Sequence, residues 1–189
     1  MRKLLAIAAF LVCLLPLQAQ TSPGRRPNKN RVDWQTSLHE ALPLLGHRNW
    51  ILIVDSAYPL QTSPGVETIE TGEDQLVVTR MVLEQIRASI HVRPIVFLDA
   101  ELPFVPDADA PGATPYRAAL STLLKGVPVQ YEPHDKIITN IDEAGKTFHI
   151  LVLKTKLAIP YTSVFIRLDC RYWSADAEQR LRKTMSVTQ

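Results

Sequence analysis

Cysteine and glycine are both scarce in this 189-residue sequence: there are two cysteines and seven glycines. One cysteine, Cys13, falls in an apolar leader, so Cys170 is alone in the rest of the chain and no intramolecular disulfide is available. The few glycines form neither the G-x-G-x-x-G nor the G-K-[ST] spacing of phosphate-cradling loops. The five histidines include no H-E-x-x-H pair. Ser56 follows Asp55 without the glycines of a nucleophile elbow, so a serine hydrolase has no support. Charge of one sign is also lacking, with 21 Lys and Arg against 19 Asp and Glu. A chain this close to neutrality has no broad electrostatic draw toward nucleic acid or anionic lipid. Neither a metal nor an organic cofactor is expected, and acid–base work by side chains alone is the chemistry left.

What is present begins with Arg2 and Lys3 ahead of an apolar run from Leu4 to Leu17, then Gln18, Ala19 and Gln20. That order is the one of a secretory signal peptide over residues 1–19, cut after Ala19, which predicts a secreted or periplasmic protein with no membrane attachment once the leader is gone. The run is short for a spanning helix. Residues 20–32 read as a flexible N-terminus, because Thr21 to Arg31, TSPGRRPNKNR, hold no apolar residue that could anchor them. Residues 33–173 are long enough for one domain with a sizeable core, and 174–189 read as a helical extension.

Along the domain, Trp34, Leu38, Ala41, Leu42 and Leu45 recur at helical spacing, and Gly46 is placed to close that helix with φ > 0. Trp50–Val54 is a continuous apolar run typical of a strand buried on both faces. Val66–Glu70 suits a short strand. Asp74 is an N-cap for a long helix whose apolar face is predicted as Leu76, Leu83, Ile86 and Ile90. A strand over Arg93–Leu98 precedes a proline-rich loop from Pro103 to Pro115. Then come a helix over Tyr116–Lys125 closed by Gly126, a strand to Tyr131, a helix over Asp135–Ala144, and strands at Phe148–Leu153 and Val164–Leu168. Ser174 caps a last helix whose acidic residues come early and basic ones late. The alternation predicts an α/β fold: a single domain with a central, mostly parallel sheet covered by helices.

The stretch LGHRNWILIVDSAYP poses the functional question, because His47 stands at a turn and Asp55 where the apolar run stops. In α/β sheets ligands gather beyond the carboxyl ends of strands. Read by themselves, these residues fit a helix-end partner and a turn at least as well. The other histidines have plainer readings. His39 belongs on the polar side of the first helix, His91 at the end of the long helix as a dipole partner, and His149 within a strand.

The stretch also resembles the N-terminal signature of the D-ribose pyranase and L-fucose mutarotase (RbsD/FucU-like) family, matched by Leu45, Gly46, His47, Asp55 and Pro59. Further on, VQYEPHDKI resembles the family segment with a second histidine, here His134. IPYTSVFIRLDC resembles the family's C-terminal Pro-Tyr block, matched by Pro160, Tyr161, Ser163 and Val164 to Ile166. The three blocks run in order from Trp34 to Cys170. The resemblance implies a cofactor-free mutarotase or pyranase that interconverts cyclic forms of a free monosaccharide by opening and reclosing its hemiacetal. It implies His47 as the main acid–base group, Asp55 holding it, Tyr161 acting on the ring or anomeric oxygen, and His134 and Ser163 contacting substrate. It also implies a ring-like homo-oligomer with pockets between neighbouring subunits. Ser163 stands where the family has asparagine, and Lys156-Leu157 replace a Gly-Glu pair. These departures keep a non-catalytic sugar-binding or scaffolding protein as the rival reading.

Overall fold

The apolar runs become the inner strands of one sheet. Trp50–Val54 (β1) is buried at every position, and the next strand on one side is Ile150–Lys154 (β5). On its other side lies Val164–Cys170 (β6). Val66–Glu70 (β2), Val92–Asp99 (β3) and Val129–Glu132 (β4) complete six strands in the order β2-β5-β1-β6-β3-β4. All neighbours pair in parallel except β6, which runs antiparallel between β1 and β3. The architecture, a computed structural model describing residues 33–187, is therefore a single α/β domain with a mostly parallel sheet. The expected signal peptide (1–19) and flexible N-terminus (20–32) lie outside the described residues.

Helices Trp34–Ala41 (α1), Gln75–Ala88 (α2) and Ala113–Leu123 (α3) cover one face, where Trp34, Leu38, Val82, Ile86 and Leu120 join Ile51, Ile53, Leu151 and Ile166 in a single cluster. The other face is closed by His134–Gly145 (α4), whose Ile137 and Ile141 pack with Trp50, Leu52, Val152 and Phe165. Both faces of the central strands are thus apolar, which is why β1 shows no alternation in its sequence. Asp74 caps α2 by accepting from the amides of Leu76 and Val77, and Gly126 has φ 81 after α3. Ala175–Val187 (α5) starts where the hydroxyl of Ser174 accepts from the Ala177 amide at 3.1 Å. Among the described residues no helix is long and apolar enough to cross a membrane.

Four local expectations are corrected. Gly46 does not take the left-handed conformation. A 3-10 turn at Leu42–Leu44 ends the first helix, and Arg48, at φ 78, makes the reversal two residues later. Ile90 is 86% exposed, because α2 stops at Ala88, and the buried stripe instead runs through Val78, Val82, Leu83 and Ile86. His91 does not bond the last carbonyls of α2: its Nδ1 lies 2.8 Å from the hydroxyl of Ser89, the residue that caps α2, and its Nε2 lies 3.2 and 3.0 Å from the carbonyls of Leu42 and Leu45. The proline-rich loop is shorter than expected. Asp107 accepts from the amides of Gly112 and Thr114 at 3.0 and 3.2 Å, and those bonds start α3 at Ala113 with Pro115 inside its first turn.

Candidate functional site at the carboxyl edge of the sheet

The antiparallel strand decides what meets at this edge. Because β6 runs against its neighbours, its first residue, Val164, pairs with Ile53 of β1 and Leu98 of β3. The segment leading into β6 therefore arrives where β1 and β3 end, and β4 ends beside them with Glu132 opposite Asp99. Asp55, Asp99, His134, Tyr161 and Ser163 are gathered there from residues up to 108 apart in sequence.

The tightest pairing is between His134 and Asp99. His134 opens α4, directly after Pro133, and its backbone amide donates to both carboxylate oxygens of Glu101 at 3.1 Å. A carboxylate at a helix N-terminus satisfies an otherwise unpartnered amide and suits the dipole. The His134 ring then places Nδ1 3.1 Å from Oδ1 of Asp99. Asp99 has no side-chain exposure, and its second oxygen, Oδ2, is buried without a partner. Burial raises its carboxyl to about 6, reinforced by the nearby Glu101 and Asp55 and opposed by the hydrogen bond and charge of His134. Among the described residues no protein hydrogen bond engages Nε2 of His134, whose side chain is 36% exposed.

Tyr161 stands edge-on to this imidazole, with ring centroids 5.6 Å apart and planes at 85°. Its φ of 58 is left-handed, a conformation that costs a non-glycine residue about 1–2 kcal/mol. Ser163 is buried, with its hydroxyl 3.5 Å from Oδ2 of Asp55, a long contact. Oδ1 of Asp55 accepts from the Ala57 amide at 2.7 Å, so this carboxylate also makes the turn after β1. Nearby Tyr58 is buried and its phenol is pushed up to about 12, first by burial and then by Asp142, Asp55 and Asp99. It stays a neutral hydroxyl at ordinary pH and accepts from Gln61 at 3.2 Å.

His47 is not part of this cluster within one chain. It precedes β1 whereas Asp55 follows it, and the five residues between the ends of that strand span about 16 Å. His47 is exposed on a turn braced by Asn49, which accepts from the Gly46 amide at 2.8 Å and donates to the His149 carbonyl at 3.1 Å. A cavity of about 400 Å³ beside α4 runs from this end, where Arg48, Trp50, Phe148 and Arg167 wall it, past Phe97 to Glu132 of β4. None of the five residues singled out from the sequence lines it.

Asp99 and Glu101 were not found by sequence reasoning, although a signal existed. Asp99 ends the apolar run IVFLD just as Asp55 ends ILIVD. Among the described residues no three His, Cys, Asp or Glu side chains stand close enough to share a metal ion.

No family model matches the sequence, and no curated protein matches it either. Solved structures do. A Bacillus subtilis RbsD complexed with D-ribose matches with a TM-score of 0.51 at 17% identity, covering 71% of this chain and 92% of that one. FucU from Bifidobacterium longum matches with a TM-score of 0.50 at 13% identity, covering 71% and 94%. The chain is therefore similar to RbsD and FucU in its fold.

Proposed function

We propose that this protein opens and recloses the hemiacetal of a free monosaccharide at the Asp99–His134–Tyr161 cluster. The observation that carries this reading is the buried carboxylate on Nδ1 of an imidazole whose Nε2 is unengaged, with a phenol edge-on to it. A carboxylate acceptor holds the proton on Nδ1 and leaves the lone pair on Nε2. Nε2 then removes the proton from the anomeric hydroxyl, the bond from the anomeric carbon to the ring oxygen breaks as the carbonyl forms, and the phenol of Tyr161 protonates the ring oxygen. Reclosure on the other face of the carbonyl runs the same transfers backward and yields the other cyclic form. The chemistry needs no electron acceptor and no cofactor. That a structural neighbour was solved with D-ribose supports a sugar as the substrate class.

In this reading His47 serves the site of a neighbouring subunit in a ring-like homo-oligomer. Its exposure on a braced turn, on the far side of β1 from its own Asp55, supports a role outside its own chain. The protein is exported through the leader at 1–19 and meets its sugar before uptake. The test is saturation-transfer NMR on equilibrated D-ribose and a panel of other free aldoses. Faster exchange between cyclic forms than in buffer, lost in His134→Ala, is the expected result; buffer rates with every aldose would overturn the reading.

Ser163 favours the rival, a sugar-binding protein without turnover. One buried hydroxyl facing Asp55 replaces an amide able to donate and accept together. Calorimetric binding of an aldose with no accelerated exchange would select it.

A further inference from the structure

Behind the cluster, on the α2 and α3 side of the sheet, lies a polar network that the proposed chemistry does not touch. Gln75, the first residue of α2, is fully buried, as are Thr162 and, nearly so, Tyr116 and Thr155. Buried polar groups of this kind are retained only when satisfied. Here most of the bonds converge on one atom. The Thr162 carbonyl accepts from Nε2 of Gln75 at 2.5 Å and from the hydroxyl of Tyr116 at 2.9 Å. The same Gln75 nitrogen donates to the Tyr116 oxygen at 2.9 Å, closing a three-membered ring of hydrogen bonds. The other end of the amide, Oε1, faces the Thr155 hydroxyl at 3.1 Å. A carbonyl cannot donate, so the amide nitrogen must face Thr162, and the orientation of Gln75 is fixed by chemistry. Burial raises the Tyr116 phenol above its ordinary range, so it remains a donor.

Thr162 is the residue between Tyr161 and Ser163. Its side chain is also tied back, donating to the Ile159 carbonyl at 2.7 Å. With both lone pairs of its carbonyl filled and its hydroxyl engaged, the chain on the carboxyl side of Tyr161 cannot rotate without breaking buried bonds. Breaking one would leave a buried group unpaired, at about 1–3 kcal/mol, which is as large as the cost of the left-handed Tyr161 backbone. The network is therefore strong enough to hold a conformation that Tyr161 alone would leave.

We propose that Gln75 and Tyr116 are positioning residues: acting through the Thr162 carbonyl, they hold the Tyr161 ring against His134 and Ser163 beside Asp55. Only the consequence for turnover rests on the sugar-interconversion reading given above. The placement of the ring is a property of the protein without ligand.

The test is therefore made first without ligand, on the full chain. The imidazole proton resonances of His134, assigned by their loss in His134→Ala, carry the ring-current shift of Tyr161, and Tyr161→Leu gives their position without it. In Gln75→Leu and Tyr116→Phe they should move most of the way to the Tyr161→Leu position. Thr79→Val, which removes a buried hydroxyl of α2 that among the described residues donates to the Gln75 carbonyl, should leave them where they are. Folded Gln75→Leu and Tyr116→Phe proteins with wild-type His134 resonances would overturn the proposal, and if Gln75→Leu does not fold, Tyr116→Phe decides. With aldose exchange as the second readout, kcat should fall on the order of 100-fold, the usual consequence of misplacing a reacting group by about 1 Å. Loss of exchange in wild type would remove the sugar reading and leave the ring-current test intact.

Discussion

The two edges of the sheet carry similar parts and use them differently. Each has a histidine singled out from the sequence, and each has one of the two non-glycine residues with positive φ among those described, Arg48 and Tyr161. At the amino edge, Arg48 is held by its amide on the Leu168 carbonyl at 3.0 Å, its guanidinium lies 4.4 Å from the Phe148 ring centroid, and His47 beside it is exposed. At the carboxyl edge, Tyr161 is fixed from behind by buried bonds and His134 is paired with a buried carboxylate. One imidazole is presented outward; the other is set within its own chain. Of the two, only His134 has a buried carboxylate on one ring nitrogen, the arrangement on which the proposed acid–base role rests.

The sharpest way to break this contrast is to delete each imidazole in turn. His134→Ala should lower aldose exchange by about 100- to 10,000-fold, the range of a lost general acid or base. His47→Ala should do the same only if it completes a neighbour's site. In that case mixing His47→Ala with His134→Ala subunits should restore part of the activity, as read by the same NMR exchange; two inactive proteins that stay inactive together would confine the chemistry to one chain.

Next in size is Asp99→Asn. The folded carboxyl, at about 6 against an ordinary 3.8, keeps its proton where the unfolded chain has released it. Between those values the folded state binds the extra proton, so stability falls as pH rises through that window and the full penalty stands above 6. The penalty is on the order of 3 kcal/mol at neutral pH. Asp99→Asn should therefore raise stability at pH 7, flatten its dependence between pH 4 and 7 in urea titrations, and depress exchange. Wild-type exchange should fall as pH drops through about 6, because a protonated Asp99 becomes the donor to Nδ1 and Nε2 is no longer free to accept.

Smaller effects sharpen the comparison further. Asp74→Ala removes the cap that seats Gln75 at the carboxyl edge and should cost about 1 kcal/mol. Arg93→Ala breaks an exposed ion pair to Asp169 at the amino edge, 2.6 Å long, and should cost no more than about 0.5 kcal/mol in the same titrations.

Much of the carboxyl edge was legible beforehand. The order of the strands along the chain and the Asp74 and Ser174 caps follow from local pattern; the three sequence blocks come from the family resemblance, and of the residues in them Ser163 lies against Asp55 and Tyr161 against His134, while His47 stands at the other end of β1. Asp99 carried the same mark as Asp55, an acid ending an apolar run, and was passed over because no resembling block covered it. Gln75 and Tyr116 gave no local signal. A glutamine opening a helix and a tyrosine in the first turn of one are ordinary choices, and their partners lie 41 to 87 residues away.

By itself the sequence determined which segments fold as strands and helices and most of the side chains they bury, because periodicity, capping and turn chemistry act within a few residues of one another. Which polar groups share an edge was decided only in three dimensions. One strand, β6, enters antiparallel between β1 and β3 and carries Tyr161 to the end where Asp99 and His134 are, while the same register leaves His47 at the other. Pairing between strands far apart in the chain is a cooperative property of the whole sheet, and no window of neighbouring residues contains it.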